Sequence, residues 1–179
     1  MSEAQQPEPN PLTIIFNYPR FVIPGQKLYP PLTVQLANAQ FYAAQVQVHP
    51  EYFYAEARCV WADVVNENGR MVIKDERLAT NELCGTKLVY GTVKPSENPE
   101  AYMVEFIFDR LWFGPQAAGY YYFQISVRAL RNAAQQPHEN EYRDTTIAFS
   151  EEMRDPEQGV IFVNPVARSG EGVSGKKRR

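Results

Sequence analysis

An all-β fold, an antiparallel β-sandwich or barrel, is what this sequence predicts, and three observations predict it. The dominant hydrophobic periodicity is two, strand-like runs recur at roughly 8–12-residue spacing between Pro- and Gly-rich turns, and helical patterning is scarce. At 179 residues the chain has the size of one domain, since domains usually run to roughly 100–200 residues. The expected division is a disordered Pro-rich head at 1–11, a β domain at 12–163 and a disordered basic tail at 164–179.

The head carries Pro7, Pro9 and Pro11 with polar fillers and nothing to bury, which reads as a flexible or polyproline-like lead. Leu12, Ile14, Phe16 and Tyr18 then alternate with Thr13, Ile15 and Asn17, the pattern of a first strand. Strands are expected next at 32–37, 40–48 and 52–65. Asn66-Glu67-Asn68-Gly69 is a good hairpin loop into a strand at 70–73, because Asn and Gly accept the positive φ of tight turns. A short helical turn is expected at 76–83 and a strand at 86–93.

Val104, Phe106 and Phe108 alternate with Glu105, Ile107 and Asp109. The richest stretch puts Tyr121, Phe123, Ile125, Val127 and Ala129 on one face and Tyr122, Gln124, Ser126 and Arg128 on the other, the mark of a central strand. Strands at 145–149 and 160–163, with a helical turn at 150–155, complete the domain. The predicted core is Phe16, Val34, Trp61, Phe106, Phe108, Phe123 and Ile125.

Composition narrows the function classes. No apolar run approaches a membrane span, and the N-terminus lacks the basic patch and apolar stretch of a signal peptide, so a soluble intracellular protein is expected. Two cysteines, Cys59 and Cys84, are too few for a disulfide scaffold and read as buried thiols. Residues 12–164 carry 13 basic and 18 acidic groups, a balance of −5, whereas 165–179 carry five basic groups and one acid. Nucleic-acid binding therefore needs a local basic patch and cannot draw on global charge.

Catalytic chemistry finds little to work with. His49 and His138 have no partner at metal-ligand spacing. Cys59 shares the strand parity of Phe53, Ala55, Ala57 and Trp61, which makes it a core residue; Cys84 precedes Gly85 at a strand end. Gly85-Thr86-Lys87 lacks the upstream glycine of a phosphate loop. Glu105 and Asp109 lie on the polar parity of their strand and read as a solvated face. Tyr120-Tyr121-Tyr122 suggests a stacking platform, yet alternation buries Tyr121 and leaves Tyr120 and Tyr122 on a partly exposed face without a close basic neighbour. A non-enzyme without cofactor, metal or small-molecule substrate is expected, with a small β-sandwich enzyme as the lesser alternative.

The order of several segments resembles the velvet domain of fungal regulators of development and secondary metabolism. They are Tyr29-Pro30-Pro31-Leu32-Thr33-Val34-Gln35-Leu36, Tyr52-Phe53-Tyr54-Ala55, Leu83-Cys84-Gly85-Thr86 with Gly91-Thr92-Val93, Phe106-Ile107-Phe108-Asp109-Arg110-Leu111, and Gly119 through Val127. The resemblance spans 12–163. It implies an immunoglobulin-like, Rel-homology-like sandwich that touches duplex DNA through loops at one end and forms homo- or heterodimers with another velvet protein in the nucleus and cytoplasm. The family's basic loop, with its Cys-Gly, corresponds here to residues 19–28, where Arg20 and Lys27 are the cations and the Cys is missing. These two are the expected DNA contacts, and weak ones. Lys176, Lys177, Arg178 and Arg179 read either as a nuclear-import tail or as a solvated end.

Overall fold

The computed structural model describes residues 12–14, 20–97, 101–130 and 145–165. In chain order these form β1 (Leu12–Ile14), β2 (Phe21–Val22), β3 (Leu32–Leu36), helix α1 (Ala39–Val46), a 3-10 turn (Pro50–Tyr52), β4 (Phe53–Glu67), β5 (Arg70–Ala79), β6 (Leu83–Gly85), β7 (Leu88–Tyr90) and β8 (Thr92–Pro95). β9 (Tyr102–Phe108), β10 (Leu111–Phe113), β11 (Gly119–Leu130), β12 (Thr145–Glu152) and β13 (Ile161–Val163) follow. The fold is mostly β, in several sheets with no closed barrel.

One sheet is ordered β1-β3-β9-β8 and a larger one β2-β13-β11-β4-β5. β13 and β12 share one edge of β11 end to end, and β5 and β7 share the far edge of β4. Among the described strands the pairing of β13 with β2 is parallel and the rest are antiparallel.

Period-two patterning explains how the sheets meet. Tyr121, Phe123, Ile125, Val127 and Ala129 of β11, with Phe53, Ala55, Ala57 and Cys59 of β4, point into one core with Val34, Val104, Phe106 and Phe108 of the smaller sheet. Burying each large apolar side chain stabilises the fold by roughly 1.5–3 kcal/mol, so this shared face dominates the folding energy. Val34, Phe106, Phe108, Phe123 and Ile125 are fully buried, as alternation predicts. Trp61 is half-buried at the rim of the core, and Phe16 lies outside the described residues. The hairpin loop is also as expected: Asn68 and Gly69 join β4 to β5 with positive φ at both.

Several expectations are corrected. Residues 40–48 hold a helix instead of a strand, because Ala39, Tyr42, Ala43 and Val46 follow a 3.6-residue period and Ala and Gln favour helix. Accordingly Ala43 is buried while Phe41 is 46% exposed, which a shared strand face would not allow. No helical turn occupies 76–83: β5 continues to Ala79, whose partner is Cys59, and β6 begins at Leu83. Likewise β12 extends to Glu152, opposite Gln124. Charged side chains on edge strands hide the alternation in both places. The single strand expected at 86–93 is broken at Gly91, where the chain passes from β7 beside β4 to β8 beside β9.

Two polar-face readings also change. Tyr122 is buried, packed with Val60, Ala62 and Val160 in a second cluster on the outer face of the larger sheet. Its hydroxyl donates to Glu76 Oε1 at 3.2 Å, and burial, followed by the charge of Glu76, pushes its pKa up. Glu105 is buried too, held by Lys94 of β8 and Gln35 of β3. Cys59 is buried as expected, whereas Cys84 is half-buried.

Candidate nucleic-acid interface

A closing layer covers the end of the sandwich where β9 ends at Phe108, opposite Leu32 at the start of β3. β10 pairs with β6 on one side, and on the other it receives residues 25–28: Gly25 N–H donates to Phe113 C=O at 2.7 Å and Leu28 N–H to Leu111 C=O at 2.9 Å. Leu28, Leu83, Leu111 and Phe113 turn inward and are buried. The Phe113 ring stands 5.0 Å from that of Tyr121, which fastens the layer to the start of β11.

Three exposed cations stand on this layer and at its junction with β4. Lys27 bridges to Trp112, Thr86 N–H donates to Arg110 C=O at 2.8 Å, and Ala57 N–H donates to Lys87 C=O at 2.8 Å. A strand spacing of about 4.8 Å and a rise of about 3.3 Å per residue place the backbones of Lys27 and Arg110 roughly 8 Å apart and that of Lys87 roughly 14 Å from Lys27 on the far side of β10. All three side chains are exposed, and among the described residues none is ion-paired. Tyr29, 85% exposed, stands on the same segment as Lys27.

Gly85 makes this register possible. Its φ of +97° is left-handed, and a Cβ there would lie 1.8 Å from Arg110 O and 2.7 Å from the Trp112 ring. The glycine of the Leu83-Cys84-Gly85-Thr86 segment thus lets the turn before β10 approach β6 closely enough to set Arg110 in place.

Beneath the layer, the charged groups are paired. Arg77 binds Glu82 at 2.8 Å and lies 5.3 Å above the Trp61 ring, while the Glu82 carbonyl accepts the Gly114 N–H. Burial works to raise the Glu82 carboxyl, but hydrogen bonding and charge from Arg77 outweigh it and hold the group below the usual carboxylate range. Burial, then the charge of Glu82, pushes the Cys59 thiol up to about 12, so it stays protonated at neutral pH, in keeping with a core residue.

The two cations singled out from the sequence are anchored on different elements. Lys27 belongs to the closing layer, whereas Arg20 sits beside β13, its carbonyl accepting the Phe162 N–H at 2.7 Å. Arg20 lines a separate open cleft of about 470 Å³ on the outer face of the larger sheet. Lys87 and Arg110 escaped sequence reasoning because they lie 60 and 83 residues from Lys27 and meet it only through β10. The Gly85-Thr86-Lys87 and Asp109-Arg110 turns were the available signals. Lys176, Lys177, Arg178 and Arg179 lie outside the described residues, as does His138.

His49 is exposed, 3.8 Å from Glu51, and among the described residues no cluster of His, Cys, Asp and Glu could hold a metal ion. No described helix is long and apolar enough to cross a membrane. No protein-family model matches the chain, and no curated protein matches it.

Proposed function

We propose that this chain is a velvet-type nuclear regulator of fungal development and secondary metabolism, acting as half of a homo- or heterodimer and touching duplex DNA weakly. An immunoglobulin-like, Rel-homology-like sandwich with loops gathered at one end is part of this reading. The observation that carries it is the trio of exposed cations with no ion pair among the described residues, Lys27 and Arg110 on the closing layer and Lys87 where it joins β4. Loops on a rigid sandwich are suited to backbone contact with a duplex, and exposed, unpaired cations can take phosphate without first breaking an ion pair.

Three phosphate contacts give modest affinity at cellular salt, and the acidic body opposes them. A partner with a fuller basic loop would complete the site. The isolated chain should therefore bind mixed duplex DNA at physiological salt no tighter than ~10⁻⁴–10⁻⁶ M, and charge reversal at Lys27 and Arg110 should weaken binding most clearly in a heterodimer. Tight, sequence-selective binding by the lone chain would contradict the partner requirement. A second reading, a protein-interaction module of the same fold without DNA affinity, is favoured by the aromatic cleft beside Arg20.

A further inference from the structure

The cleft beside Arg20 has a floor of three rings in cross-strand register, one from each of β2, β13 and β11. Phe21 pairs with Phe162 and Phe162 with Tyr120. The ring centroids are 5.9 Å apart for Phe21 and Phe162 and 5.0 Å apart for Phe162 and Tyr120. Met71 and Pro156 contribute apolar walls, and Arg20, Glu157 and Gln158 supply the polar groups. Phe21 is 72% exposed, an unusual position for a phenylalanine. A volume of about 470 Å³ is that of a small-ligand or short-peptide site. With one cation and one carboxylate in its lining, the cleft does not suit a nucleic-acid strand, whereas a short, ring-rich peptide fits the floor.

We propose that this cleft receives the Pro7-Glu8-Pro9-Asn10-Pro11 segment of a second copy of the chain. Those residues lie outside the described structure, but their sequence carries prolines at strict i, i+2, i+4 spacing. In a polyproline II helix, at 3.1 Å per residue, successive prolines of that pattern are about 6 Å apart along the axis and occupy neighbouring edges of a three-sided rod. Two of them can rest together on rings spaced 5.0 and 5.9 Å apart. Glu8, between them, complements Arg20.

The geometry favours exchange between copies over folding back. Leu12, which follows the segment, pairs with Leu36, and the chain leaves β3 there for α1 and then the 3-10 turn before Phe53. Phe53 is opposite Ala129, the far end of β11 from the cleft, where Tyr120 meets Phe162. Nine residues of strand between Tyr120 and Ala129 span about 30 Å, while Pro7 reaches only about 16 Å from Leu12. This interaction stands apart from the DNA reading, since it uses neither Lys27, Lys87 nor Arg110.

The test uses the full chain with Pro7→Ala, Pro9→Ala and Pro11→Ala as receptor, so that its own head does not compete, and a labelled peptide of residues 5–12. Saturable binding in the range of tens to hundreds of micromolar is expected, weakened at least tenfold by Phe21→Ala and several-fold by Arg20→Glu. Because Phe21 is mostly exposed, its replacement should leave the melting temperature unchanged. Sedimentation of the wild-type chain at about 100 µM should show reversible self-association, lost in Phe21→Ala and in the proline-free variant. Absence of saturable binding, binding that survives both Phe21→Ala and Arg20→Glu, equal binding of a peptide with alanine for all three prolines, or a strictly monomeric wild type would each overturn the proposal.

Discussion

The cations on the sheets and the cations of the closing layer behave as two different populations. On the sheets Arg58 and Arg128 share Glu56, Lys74 holds Glu67 and Lys94 holds Glu105, and just past β12 Arg154 holds Glu76; Arg70, at the start of β5, is the exception, with no ion pair among the described residues. At the closing layer Lys27, Lys87 and Arg110 stand exposed, with no ion pair among the described residues. A chain-wide balance therefore misrepresents what a phosphate would meet: most of the sheet cations are already engaged with acids, and the closing-layer cations are available. Structural and functional charge can be separated experimentally, because each population should affect one readout and spare the other.

The largest effect belongs to the core that both populations stand on. Phe123 is fully buried at the centre of β11, against Phe113 with centroids 6.3 Å apart. Phe123→Ala should cost about 3–5 kcal/mol, enough to unfold the domain or lower its melting temperature by roughly 10 °C or more. A melting temperature equal to that of the wild type would refute the inward parity of β11.

Gly85→Ala comes next, and it links the two populations. The added methyl collides with the Arg110 carbonyl and the Trp112 ring, and the positive φ adds strain. A loss of about 2 kcal/mol or more is expected from thermal melts, together with weaker DNA binding as Arg110 shifts. Undiminished stability would show that the layer can open without cost.

A smaller effect tests the sheet population by pH. Hydrogen bonding from Lys94, helped by Gln35 and opposed by burial, holds the Glu105 carboxyl below the usual carboxylate range. A depressed native pKa means the unfolded chain binds more protons, so this stabilisation is present above the ordinary Glu value near 4.3 and is lost as pH falls through the native one. Melts between pH 6 and 3 should show that acid-dependent loss, and Glu105→Gln should flatten it. Lys94→Met, which strands the buried carboxylate, should cost about 1–2 kcal/mol at neutral pH without altering DNA binding.

How much of this the sequence carried depends on which neighbour did the burying. The inward face of β11 was legible because alternation alone assigns Phe123 and Ile125 to one side and the partner sheet accepts them. Tyr122 was misread because its cover is Val160, 38 residues further along and brought back only by the approach to β13. Glu105 was misread for a similar reason: its cover is Lys94 and Gln35, on the two strands flanking β9. The helix at 39–46 was hidden by Phe41, whose ring breaks the alanine-and-glutamine pattern yet faces solvent. Of the candidate site, Lys27 was legible as a loop cation, but its grouping with Lys87 and Arg110 depends on long-range pairing to β10 that no local pattern encodes.

The salt dependence of duplex binding tests the central claim most directly, comparing the wild-type chain with a Lys27→Ala, Lys87→Ala, Arg110→Ala variant. Each phosphate neutralised adds about −0.9 to the slope of log K against log salt, so the triple variant should have a slope shallower by about 2.7. Its melting temperature should stay within about 2 °C of the wild type, since exposed, unpaired cations contribute little to folding. A triple variant that keeps the wild-type slope would contradict the account and return the closing layer to a purely structural role.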